Sequence, residues 1–199
     1  MRKFLFACVA VFGLTNITAQ EKETVGGFEK GDVFISGSVN FNSTSISDVE
    51  GSDTNFTLSP SVGYFVSDNI AIELGLAFGS SELEGTFGDS TSSTFGVTLG
   101  ADYYFTPANK FSFVVGAGVS YITQGSEVAS VDQPDVNTFV IAAAPGVNYF
   151  VSESFALRAS VGALSYATTK QDVDGANSFN RFGFNLDLSS VNIGLTYKF

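Results

Sequence analysis

Apolar residues recur at every second position through most of this chain, and that habit limits what it can fold into. From Ile70 to Gly79, the residues Ile70, Ile72, Leu74, Leu76 and Phe78 share one parity, while Ala71, Glu73, Gly75 and Ala77 share the other. A period of two puts successive side chains on opposite faces of a strand, whereas a helical face needs a period near 3.6. The same pattern marks a first strand over about Asp32–Asn42 (Val33, Ile35, Val39, Phe41) and a second over about Thr54–Val66 (Phe56, Leu58, Val62, Tyr64). A fourth aligns Phe95, Val97, Leu99, Ala101 and Tyr103, and a fifth Phe111, Phe113, Val115, Ala117, Val119 and Tyr121. Phe139, Ile141, Val147, Tyr149 and Val151 mark a sixth, and Phe155, Leu157, Ala159, Val161 and Ala163 a seventh.

The eighth segment, Arg181–Phe199, changes parity partway. Phe182, Phe184, Leu186 and Leu188 are even, whereas Val191, Ile193, Leu195, Tyr197 and Phe199 are odd. Either a β-bulge at Ser189-Ser190 restores the face, or the first half extends past the membrane. Both readings stay open on the sequence.

Short connections alternate with long ones. Ser67-Asp68-Asn69, Thr106–Lys110 and Ser152-Glu153-Ser154 read as tight turns, and Ser43–Asp53, Ser80–Ser93, Gln124–Val136 and Lys170–Asn180 as longer polar loops. Tyr64-Phe65, Tyr104-Phe105 and Tyr149-Phe150 each precede a short turn, a weak repeat that suits one hairpin unit used several times. In the fourth strand the repeat would face Tyr104 outward and the alternation Tyr103; the alternation is preferred.

Composition narrows the class. Hydrophobic residues reach 44% and charged ones only 15%, against roughly 25% charged in ordinary globular chains. Yet beyond the N-terminus no run approaches the roughly 20 apolar residues of a membrane helix. An apolar chain without such a helix fits barrel strands, in which only alternate residues face lipid. Histidine is absent, which removes histidine acid–base catalysis and imidazole metal sites. The one cysteine is Cys8, so a chain that has lost its leader has neither a disulfide nor a thiolate nucleophile. No base–nucleophile constellation stands out. The reading is therefore no enzyme, with no catalytic, cofactor-binding or metal residues and no cofactor. The net charge is −11, and subtracting Arg2 and Lys3 with the leader gives −13, which argues against nucleic acid.

Residues 1–20 read as a cleaved signal peptide. Arg2 and Lys3 form the positive start, Phe4–Leu14 the apolar run, and Thr15–Ala19 a polar stretch ending in a small residue. Cleavage is expected after Ala19 or one residue later. Residues 21–31 read as a flexible periplasmic N-terminal tail, and 32–199 as the barrel.

The last residues, Val191-Asn192-Ile193-Gly194-Leu195-Thr196-Tyr197-Lys198-Phe199, end on an aromatic with apolar residues at alternate positions. This resembles the C-terminal β-signal read by the barrel-assembly machinery. With the leader and the aromatic hairpins, the chain resembles the small outer-membrane β-barrel families of Gram-negative bacteria: the OmpA transmembrane domain, OmpX and the similarly sized "porin family" proteins. The resemblance implies an all-β, eight-stranded antiparallel transmembrane up-and-down barrel in the outer membrane, with both termini periplasmic. It implies outer-membrane lipid and lipopolysaccharide as surroundings and the assembly machinery as a partner through Tyr197 and Phe199. Peptidoglycan anchoring, which in OmpA-type proteins belongs to a further domain, is not expected to carry over with the resemblance. The extracellular ligand is left unnamed.

An eight-stranded lumen is narrow enough for side chains to fill. Glu73, Asp102 and Arg158 each fall about four residues from a short turn, which at roughly 3.3 Å per residue sets them at a similar level. Arg158 is expected to reach across to Glu73 or Asp102, forming a polar cluster that either plugs the barrel or gates it. Most negative charge falls in the expected loops: Asp48, Glu50 and Asp53, then Glu82, Glu84 and Asp89, then Glu127, Asp132 and Asp135. The leading function is a structural, surface-interaction barrel displaying these acidic loops. One alternative is a narrow passive channel for small solutes. Another is a soluble exported barrel or sandwich binder with its apolar face inside, since alternation does not report which face is in.

Overall fold

The computed structural model describes residues 26–45, 51–85, 89–185 and 191–199. Among these, the chain forms eight antiparallel strands: β1 (Val33–Ser45), β2 (Gly51–Phe65), β3 (Ile70–Gly85), β4 (Ser90–Tyr104), β5 (Phe111–Val128) and β6 (Val131–Phe150), then β7 and β8. β7 has a lower run, Phe155–Val161, and an upper run, Ala163–Gln171; β8 likewise has Phe179–Asn185 above and Val191–Lys198 below. Each strand pairs with the next in sequence. The lower run of β8 then pairs with β1 from Phe34↔Lys198 to Gly37↔Leu195, which closes the sheet into a barrel. Closure leaves no row of unpaired backbone groups at that level, where hydrocarbon offers them no partner.

The apolar set lies outside. Along β3, Ile70, Ile72, Leu74, Leu76 and Phe78 are exposed, whereas Ala71 is buried and Glu73, Gly75 and Ala77 are half-buried on the inner face. A water-soluble barrel would hide the first set, so the inverted, soluble alternative does not describe this fold. Aromatic residues mark both rims of the apolar band. Tyr64, Tyr103, Phe105 and Tyr149 lie at the end with the short turns. At the other end Phe78 stands opposite Phe95, Tyr121 opposite Phe139, and Tyr166 opposite Phe182. Such paired girdles flank the lipid-facing band of outer-membrane barrels.

Of four local readings of the sequence, three are refined and one falls outside the described residues. First, strands run well into the polar stretches expected to be loops. Glu82 and Glu84 lie in β3, Glu127 in β5, and Asp132 and Asp135 in β6. Glu127 pairs with Asp132 and Val128 with Val131 around a tight turn at Ala129-Ser130, whose φ values of 50° and 64° suit a two-residue hairpin. Cross-strand hydroxyl pairs such as Thr98–Ser120 (2.8 Å) and Thr138–Thr169 (3.0 Å) show how serine and threonine sustain a ladder without apolar contacts.

Second, the seventh strand does not keep one parity to Ala163. Pairing passes from Gly146↔Ser160 to Ala143↔Leu164, so one extra residue enters at Gly162, whose φ is +64°. This bulge turns Leu164 and Tyr166 outward. Third, Phe182 and Phe184 face outward above, and Ile193 and Leu195 below. The expected parity switch, with Leu186, Leu188 and Ser189-Ser190, falls outside the described residues, as do Asp48 and Glu50. Fourth, Gly26 to Phe28, part of the expected tail, are buried.

Candidate functional site in the barrel lumen

The inner face is built in three levels. Nearest the short turns lies an aromatic cluster of Phe34, Phe65, Tyr104 and Phe150, one each from β1, β2, β4 and β6, with Phe28 among them. Tyr104 is 1% exposed while Tyr103 faces out, as strand alternation requires. Phe65, Tyr104 and Phe150 are therefore the inward members of the aromatic repeat before each turn, with the repeat shifted by one in β4. Gly63 gives the Phe34 ring its place, since a Cβ there would collide with that ring.

Arg158 stands on the next level, two residues up β7 from the fully buried Ala156. Its Nη1 donates to Glu73 Oε2 on β3, and its Nη2 is ion-paired with Asp102 Oδ2 on β4, both at 2.8 Å. Ser61 Oγ on the neighbouring β2 donates to the other Glu73 oxygen at 2.6 Å. The Asp102 side chain is 7% exposed, and those of Glu73 and Arg158 are 19% and 24%. All three face inward because each occupies the small-or-polar parity of its strand. Gly116, paired with Asp102 across the β4–β5 ladder, has no room for a Cβ, which would meet Asp102 Oδ1. One guanidinium thus serves two carboxylates across the bore.

Above the ion cluster opens a cavity of about 350 Å³, walled chiefly by small residues including Gly75, Thr98, Gly100, Gly118, Gly146 and Ser160. Glu73, Asp102 and Arg158 supply its charged lining, and glycine and alanine most of the rest. Among the described residues no grouping of histidine, cysteine or carboxylates could hold a metal ion. Sequence reasoning placed Glu73, Asp102 and Arg158 on one level but did not find Ser61, Gly116 or the aromatic cluster. The repeat at the turns was the available signal for Phe65, Tyr104 and Phe150.

At the chain end Tyr197 packs against Phe155 and Phe199, with ring centres 4.9 and 5.1 Å away. Phe199 N donates to Val33 O at 3.1 Å, while the Phe199 side chain stays exposed.

A closed eight-stranded barrel with an apolar exterior, aromatic rims and a polar bore is a transmembrane β-barrel of the outer-membrane class. The chain belongs to the family described as "Outer membrane protein beta-barrel domain", whose match spans residues 4–199. It is 31% identical over 169 residues to the uncharacterized outer-membrane protein y4mB of Sinorhizobium fredii, covering 79% of this chain and 73% of that protein. Among solved structures it resembles the outer membrane protein OprG of Pseudomonas aeruginosa, with a TM-score of 0.56 and 18% identity over 88% of this chain and 99% of that one. At that identity the likeness is one of fold.

Proposed function

We propose that this protein is a structural and surface-interaction barrel of the Gram-negative outer membrane, with a lumen closed to solutes. The observation carrying this reading is Arg158 held between Glu73 and Asp102 at 2.8 Å on each side, in an eight-stranded bore of the size that side chains can fill. Unpaired, those charges would cost several kcal/mol each, so the cluster has every reason to stay shut.

An even number of strands returns the chain to the side on which it starts. Short turns on that side support a periplasmic position for both ends. The opposite side, bearing Glu82, Glu84, Glu127, Asp132 and Asp135 on extended strands, would then project from the cell. There it forms a solvated acidic surface facing lipopolysaccharide and its bridging cations. The terminal Tyr197–Phe199 pair is the proposed contact for the barrel-assembly machinery.

Planar-bilayer recording of the purified protein tests the closed lumen. Steady absence of openings is expected, whereas robust unitary currents would overturn it. The cavity of about 350 Å³ favours a second reading, a narrow channel gated at Arg158. That reading expects openings which increase when Arg158 is replaced by a smaller neutral residue.

A further inference from the structure

The segment before β1 contains Gly26-Gly27-Phe28, and its aromatic side chain does not go to water. Phe28 is 1% exposed, with its ring centre 4.6 Å from Phe65, 4.9 Å from Phe150, 5.2 Å from Phe34 and 5.5 Å from Tyr104. Those four rings come from β2, β6, β1 and β4, strands spread around the barrel, so Phe28 sits near the barrel axis.

The backbone is fixed as closely as the ring. Phe28 N donates to Pro107 O at 2.8 Å in the β4–β5 turn, and Gly31 N to Phe65 O at 2.9 Å. Lys198 Nζ, on the closing strand, donates to Gly27 O at 2.5 Å and stands 3.6 Å from the Asp32 carboxylate. Neither glycine tolerates a side chain: a Cβ on Gly27 would strike the Ala108 backbone, and one on Gly26 would strike Ser152 O and the Phe150 ring. Backbone this close to the turns, with every contact filled, has the character of a fitted part.

We propose that residues 26–32 are a self-supplied stopper for the turn-end mouth, seated by Phe28 and latched by Lys198. The stopper blinds the lumen below the ion cluster and is a separate barrier from it. Because Lys198 lies on the strand that closes the barrel, the latch engages only once β8 has joined β1.

Thiol accessibility tests this. In a Cys8→Ser background, Ala156→Cys places one thiol among the fully buried residues of the aromatic level, and Ser160→Cys places one at the cavity above the cluster. Folded protein in detergent micelles is treated with a bulky, charged maleimide, and folding is checked by the mobility shift between boiled and unboiled samples. The Ala156→Cys thiol should react at least ten-fold more slowly than the Ser160→Cys thiol, and Gly27→Val or Phe28→Ser should abolish that protection. Equal rates in the unaltered segment would overturn the stopper. So would a folded Gly27→Val or Phe28→Ser protein in which Ala156→Cys stays protected. Ion flow is not read, so failure here and failure of the non-conducting reading are distinct results.

Discussion

Arg158 meets Glu73 at 2.8 Å although they stand 85 positions apart in sequence and half the barrel circumference separates them. The contact exists because β3 and β7 face each other across eight strands and both residues point inward at one level. Asp102 takes the second Nη of the same guanidinium, so the three groups behave as one unit.

Replacing Arg158 by methionine should therefore cost about 3–5 kcal/mol, since two enclosed carboxylates lose their partner. Adding Glu73→Gln and Asp102→Asn to that variant should recover much of the loss. Urea unfolding in lipid vesicles, followed by the gel shift, measures both. Additive losses across the three sites would show that the charges act separately.

Gly116 and Gly75 make a matched pair for a packing test. A methyl at Gly116 would press on Asp102 Oδ1, whereas one at Gly75 meets its neighbours at 3.6–3.7 Å, ordinary contact. Gly116→Ala should destabilise by about 1–3 kcal/mol, and Gly75→Ala should stay within about 0.5 kcal/mol of the parent. Equal effects in the same unfolding assay would contradict the crowding at Asp102.

Phe199 is exposed and closes only the edge of the aromatic rim through Tyr197. Phe199→Ala should shift equilibrium stability by less than about 1 kcal/mol, yet slow appearance of the heat-modifiable form in cells at least several-fold. A pulse–chase experiment separates the two effects. Unchanged assembly kinetics would remove the proposed role of the terminal aromatic.

Much of the fold was legible because lipid makes strand parity strict: an inward slip of Leu74 or an outward slip of Glu73 is costly, so the pattern survives in the sequence. The level shared by Glu73, Asp102 and Arg158 was readable for the same reason, counted from the short turns. Legibility stops where lipid stops. Above the apolar band Glu127, Asp132 and their serine and threonine neighbours are polar on both faces, so a strand there reads like a loop. The bulge at Gly162 turns the face by one residue, and the only mark of it is the change from odd Leu157 to even Leu164 and Tyr166. Phe28 belongs to no strand, so no period marks it; only the three-dimensional meeting of β1, β2, β4 and β6 gives it a seat.

The account as a whole depends on the direction of β3's two faces, and nitroxide scanning from Ile70 to Phe78 in lipid bilayers measures that direction. Collision with dissolved oxygen should peak at the even positions Ile70, Ile72, Leu74, Leu76 and Phe78 and fall at the odd ones between them, with a water-soluble nickel chelate excluded from the even set. Even positions open to nickel, or an oxygen profile with the opposite phase, would contradict a barrel whose greasy face meets hydrocarbon.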